Sequence, residues 1–151
     1  MSDIGPAGRA TVMVCITCRA ATGPTDGLGA VAPDARAPNS DAPNTGAPRT
    51  GIALAEATAI AARSASDVTV QRIRCLGNCS RGLSAAIRCD NAWTYVFGGL
   101  EPALDGPSLI IGAQLLAQAA DGIMPWRGRP ESLKRGLIAR VPPSNFREEL
   151  P

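Results

Sequence analysis

The sequence predicts an α/β domain in which a parallel strand pair joined through one helix is followed by an antiparallel hairpin and a closing helix. Three observations predict it. β-branched apolar runs of strand length begin at Thr11 and Val68, an alanine-rich helical stretch lies between them, and a second helical stretch follows two further short apolar runs. At 151 residues the chain is long enough for one core and too short for two ordinary domains.

The first strand, Thr11-Val-Met-Val-Cys-Ile-Thr17, ends at Cys15 and Cys18. From Ala21 to Thr50 the composition shifts, with Ala-Pro recurring at Pro33, Pro38, Pro43 and Pro48 among polar residues. Proline blocks regular hydrogen bonding, and little apolar surface repays ordering entropy, so 21–50 reads as a disordered or extended insertion of low complexity. Gly27-Leu-Gly29-Ala-Val-Ala32 inside it matches the dinucleotide pattern GxGxxA but has neither strand before it nor helix after it in register, so it reads as chance.

A helix over Gly51–Ser64 follows, with Thr50 as N-cap and Ile52, Leu54 and Ile60 among its apolar positions. Val68–Arg74 is the second strand and delivers Cys75 into Leu76-Gly-Asn-Cys79-Ser-Arg-Gly82, a loop of turn formers. Leu83–Arg88 and Trp93–Phe97 are strands around the turn Cys89-Asp-Asn-Ala92. The alternation of Trp93, Tyr95 and Phe97 with Thr94 and Val96 reads as packing of one strand face. A helix from Pro107 to Ala120 carries Leu109, Ile110, Leu115 and Leu116, with Asp105 as N-cap and Gly122 as stop. The order strand, helix, strand, strand, strand, helix over 11–123 is that of a thioredoxin-like α/β domain. Residues 124–151 form a basic C-terminal arm without clear periodicity beyond a helical turn near Pro130 to Arg135.

Composition narrows the chemistry. The formal net charge of +2 is too small to imply nucleic-acid binding by bulk electrostatics. No apolar run reaches the roughly 20 residues of a membrane span, and the first residues lack the pattern of a secretory signal, so a cytoplasmic setting with reduced thiols is expected. There is no histidine, which removes Ser-His-Asp and Cys-His catalysis, mixed Cys/His zinc sites and Rieske centres. No acid-base set remains, and an enzyme is not expected.

The five cysteines carry the functional signal. Cys15-x2-Cys18 and Cys75-x3-Cys79 each leave a strand end, and strands joined by one helix are commonly sheet neighbours. The 56 residues between Cys18 and Cys75 reduce to about one helix and one strand once 21–50 is discounted. A 2Fe-2S cluster takes four thiolates, here Cys15, Cys18, Cys75 and Cys79, with Arg19, Arg74, Arg81 and the amides of 76–82 available to its negative charge. Gly77 and Gly82 allow the loop close approach. The same four ligands suit structural zinc. A CxxC dithiol oxidoreductase is a further alternative, opposed by the insertion that separates Cys18 from the helix, and buried apolar cysteines are the last. Cys89 has no close partner in sequence and reads as structural. Arg127, Arg129, Lys134, Arg135 and Arg140 against Glu131 make the arm a candidate docking surface, and simple packing, with Trp126 covering the domain's edge, is the equal alternative.

Val14-Cys15-Ile-Thr-Cys18-Arg19, Cys75-Leu-Gly-Asn-Cys79-Ser-Arg-Gly82, Tyr95-Val-Phe-Gly98, Trp126-Arg-Gly-Arg-Pro-Glu131 and Ile138-Ala-Arg-Val-Pro142 together resemble a bacterial family of predicted metal-binding proteins of unknown function. That family is related to the thioredoxin-like 2Fe-2S ferredoxins, which space their first two cysteines more widely than the CxxC here. The resemblance implies a 2Fe-2S fold with ligands Cys15, Cys18, Cys75 and Cys79. Gene neighbourhoods of the family imply a redox supplier or metallochaperone linked to cobalamin synthesis or metal handling.

The expectation is therefore a small ferredoxin-like electron carrier or redox subunit holding a 2Fe-2S cluster; the alternative is a zinc- or cobalt-binding metal-handling protein. Its expected partner is a redox protein docked by the basic tail, with no nucleic acid and no membrane, and a homodimer stays open.

Overall fold

The computed structural model describes residues 8–18, 50–148 and 150. The insertion, the GxGxxA match and Arg19 lie outside the described residues, apart from Thr50.

Five strands form one mixed sheet: β1 (Ala10–Cys15), β2 (Val68–Ile73), β3 (Ala85–Arg88), β4 (Thr94–Phe97) and β5 (Leu137–Val141). Their order is β2-β1-β3-β4-β5, with β1 parallel to β2 and the other pairs antiparallel. Helices α1 (Gly51–Ala61) and α2 (Pro102–Gln118) pack against each other and against β1, β2 and β3. This is the predicted thioredoxin-like order. Its additions are α3 (Glu131–Arg135) and β5, which the arm contributes. No helix among the described residues is long and apolar enough to cross a membrane.

Strand periodicity decides the two faces of the sheet. Val12 and Val14 stand in register with Ile87 and Ala85, and those in turn with Tyr95 and Phe97. All six are buried with Leu54, Leu109, Ala113 and Leu116 of the helices. Tyr95 and Phe97 stack with ring centroids 6.3 Å apart, as the alternation predicts. Thr11 and Met13, offset by one residue, are only partly buried on the other face.

Thr50 caps α1 as predicted, its hydroxyl accepting from Ala53 N–H at 3.1 Å. The buried face of α1 is smaller than its large apolar residues suggest. Gly51, Leu54, Ala55 and Thr58 point inward, whereas Ile52 and Ile60 are exposed. The small residues let the helix sit close, and at Gly51 a Cβ would fall 1.9 Å from the Cys15 carbonyl oxygen. Helix α2 starts at Pro102, not near Pro107, because proline suits a first helical position where no N–H is needed. Asp105 is correspondingly not the N-cap. It lies in the first turn, where its carboxylate accepts from Glu101 N–H at 2.7 Å. The helix stops at Gln118, with Gly122 at φ +74° turning the chain toward Met124.

Candidate metal centre

Strand β1 ends by placing Cys15 over the end of β2, where it is the register partner of Ile73. The chain then turns, and Cys18 returns so that its sulfur lies 3.2 Å from that of Cys15. Both thiols are buried. Helix α1 begins on the same turn, Gly51 N–H donating to Cys18 O at 3.0 Å. The sequence places the insertion between the CxxC and this helix; the fold brings the helix N-terminus back to it. Positive partial charge at that end favours sulfur in its anionic form.

The second cysteine pair sits on the loop after β2. Thr17 donates its hydroxyl to Arg74 O, and the Cys15 thiol lies 3.6 Å from the same oxygen. Ser84 links the loop to both cysteines: its carbonyl accepts from Cys15 N–H at 3.0 Å, its side chain bonds Cys18, and its hydroxyl accepts from Asn78 Nδ2 at 2.8 Å. Gly77 takes φ +71° and donates its N–H to Cys75 Sγ at 3.1 Å. A single 3₁₀ turn spans Cys79–Arg81 and rests on Gly98, where a Cβ would come within 2.6 Å of Arg81 O.

Electrostatics separate the two buried thiols. Burial pushes Cys15 up, but hydrogen bonds from Thr17, Cys18 and the Leu76 amide outweigh it and leave its pKa below the ordinary thiol value. Burial and the hydrogen bond to Cys15 push Cys18 up, against a smaller opposing contribution from Ser84. The two thiols of the close sulfur pair are thus shifted in opposite directions.

Of the predicted ligands, the structure brings Cys15 and Cys18 into contact, while Cys75 and Cys79 are exposed on the adjoining loop. Among the described residues no three His, Cys, Asp or Glu side chains are gathered closely enough to hold a metal ion. Chain reach limits the separation, because Cys75 follows Ile73 by two residues and so lies within about 12 Å of Cys15 at the Cα atoms. Two thiolates on one tetrahedral metal, at bonds of about 2.3 Å, stand about 3.8 Å apart. The observed 3.2 Å is thus closer to that spacing than to the ~2.05 Å of a disulfide. The donor set fits a soft metal or an iron-sulfur cluster in kind. Cys89 is buried at the far end of β3 from this site, as its separate reading expects.

Several of the arm's cations lie against aromatic rings, in keeping with the packing reading of this segment. Arg129 is buried, donating to Met124 O at 2.6 Å and Pro125 O at 3.3 Å. Its guanidinium also lies over the Tyr95 and Trp126 rings. Lys134 lies over Trp126, Arg140 over Trp93, and Arg135 is 3.9 Å from Glu131. No sequence signal separates Arg129 from its neighbours, since its role follows from the carbonyls that the turn at Gly128 aims at it.

A family model for proteins of unknown function, DUF1636, matches residues 35–143. The chain belongs to the DUF1636 family. The matched stretch of this DUF1636 protein includes Cys75, Cys79 and Cys89, and begins after Cys15 and Cys18. No curated protein sequence matches it. Among solved structures it is similar to a thioredoxin-like [2Fe-2S] ferredoxin from Aquifex aeolicus, with 15% identity, a TM-score of 0.49, and coverage of 92% of this chain and 99% of that one. A second structure, of the wild-type thioredoxin-like [2Fe-2S] ferredoxin from Aquifex aeolicus at 1.5 Å resolution, matches with 15% identity and a TM-score of 0.45, covering 87% and 98%.

Proposed function

We propose that this DUF1636 chain binds a 2Fe-2S cluster through Cys15, Cys18, Cys75 and Cys79 and serves as a small electron carrier or redox subunit in a reducing compartment. The observation that carries the reading is the buried Cys15–Cys18 pair at 3.2 Å, bordered by the loop that bears the other two cysteines. Such a cluster supplies one-electron transfer when bound. Cys15 and Cys18 offer a preset chelating pair, and the amides of the loop and of the α1 N-terminus favour negative charge on sulfur. The exposed loop cysteines complete the set by moving inward, with the loop's glycine at position 77 as a pivot. A redox partner would meet the exposed arginines of the arm, Arg127 and Arg135, since Arg129 is committed to the fold.

Anaerobic purification followed by iron, acid-labile sulfide and zinc analysis tests this reading. Iron and sulfide in equal amounts with visible charge-transfer absorption are expected. Cys75→Ser or Cys79→Ser should abolish the colour, whereas Cys89→Ser should keep it. A full cluster in Cys75→Ser would overturn the ligand set; stoichiometric zinc without sulfide would replace the cluster by the metal-handling reading.

One observation favours a second reading. The start of α1 on the CxxC turn is the setting in which a dithiol cycles to a disulfide. In that case metal-free protein treated with oxidised glutathione would form a Cys15–Cys18 disulfide with release of two molecules of reduced glutathione, reversibly and at the same rate in Cys75→Ser.

A further inference from the structure

The sheet carries a polar cavity that the sulfur site does not use. It measures about 360 Å³ and is lined by Arg9, Thr11, Gln71, Arg88, Cys89 and Asp90. Register explains the convergence. Thr11 stands opposite Arg88 on β3, Gln71 lies diagonally across on β2 as the partner of Met13, and Arg9 precedes Thr11 by two residues and so shares its face. The four residues from Thr11 to Cys15 separate it from the sulfur pair by about 13 Å along the strand.

Among the described residues none of Arg9, Thr11, Gln71, Arg88 and Asp90 makes a side-chain hydrogen bond or ion pair. Elsewhere the polar side chains on the same framework are engaged, Gln114 with Asp67, Asn78 with Ser84 and Asp105 with Glu101 N–H. Two guanidiniums, charged at any physiological pH, oppose one carboxylate, leaving the cavity net positive. Their planar forks match a tetrahedral oxyanion two oxygens at a time, and the Thr11 hydroxyl and Gln71 amide add neutral donors. No aromatic or large aliphatic side chain lines it. Its volume falls at the small end of the roughly 300–1,000 Å³ usual for ligand pockets, more than a bare phosphate fills.

We infer that this cavity binds a small phosphate monoester, the phosphoryl group between Arg9 and Arg88 and the polar body toward Thr11 and Gln71. Asp90 sets the orientation by repelling the phosphoryl oxygens. The inference is independent of the metal reading.

Calorimetric titration of the full-length chain with inorganic phosphate, glucose 6-phosphate and citrate, at constant ionic strength, tests it. Saturable binding of glucose 6-phosphate is expected, tighter than that of phosphate and of citrate. Arg88→Gln and Arg9→Gln should each weaken it about tenfold, and Asp90→Asn should tighten it. Arg135→Gln, which removes a guanidinium from the arm, should leave it unchanged. Both arginines are exposed, so replacing them leaves the fold intact, and circular dichroism verifies this. Absence of saturation with glucose 6-phosphate up to about 10 mM, a floor set by the weakest useful affinity, would overturn the proposal. So would wild-type binding in both arginine variants, or citrate binding as tightly as the phosphate ester.

Discussion

Cys89 links one residue to the pH dependence of the whole fold. Burial, and then the charge of Asp90, push its thiol above the ordinary value despite a backbone hydrogen bond from Asp90. The unfolded chain therefore ionises this thiol first. The stabilisation is complete below the ordinary thiol pKa and is lost as pH rises through the higher native one. Cys89→Ala should flatten the fall in stability over that alkaline window, measured by urea unfolding of reduced protein at stepped pH. An unchanged slope would place the dependence elsewhere. Arg129 is set apart from the other arm cations only by the fold. In sequence it is one of several arm cations, while in space it alone holds two carbonyls and two rings. Arg129→Ala should cost about 2–3 kcal/mol by leaving the buried Met124 carbonyl unpaired, with a thermal melt as the readout.

At the scale of elements, the contact between α1 and α2 is set by small residues. A Cβ at Gly106 would lie 2.7 Å from the Ala57 carbonyl carbon, a backbone atom that cannot rotate away. Gly106→Ala gains helix propensity but forces the helices apart, and a net loss of about 1–3 kcal/mol is expected by chemical denaturation. A neutral or stabilising result would show that the helix pair yields freely. The same smallness explains the buried face of α1. Of the large apolar residues Ile52, Leu54 and Ile60 only Leu54 is buried, because close approach to Cys15 selects residues by size. Strand positions were readable because alternation and β-branching act locally, and β5 was not. Its pattern LIARV carries weak alternation, and its place is decided by pairing with β4.

For the whole molecule, the arm proves continuous with the core. Met124 and Leu133 are buried, Tyr95 Oη accepts from Met124 N–H at 2.9 Å, and a Cβ at Gly112 on α2 would lie 2.4 Å from Leu133 Cδ1. Deleting 124–151 should therefore destabilise the fold by on the order of 5 kcal/mol, since two large buried side chains are lost along with an edge strand. Loss of a cooperative thermal transition is the expected readout, and an unchanged melting temperature would make the arm a detachable tail.

The sequence by itself determined the order of the first six elements, the cap at Thr50 and the set of four candidate thiolates, because each is written in local pattern: alternation, helix capping and cysteine spacing. Tertiary structure alone decided that Cys15 and Cys18 share a buried contact at the start of α1 and that Cys75 and Cys79 stay on the exposed loop beside it. It also decided that the arm closes the sheet. Those outcomes depend on chain return across many residues, on backbone approach that glycine permits, and on which carbonyls are left needing a donor, and no local pattern encodes them.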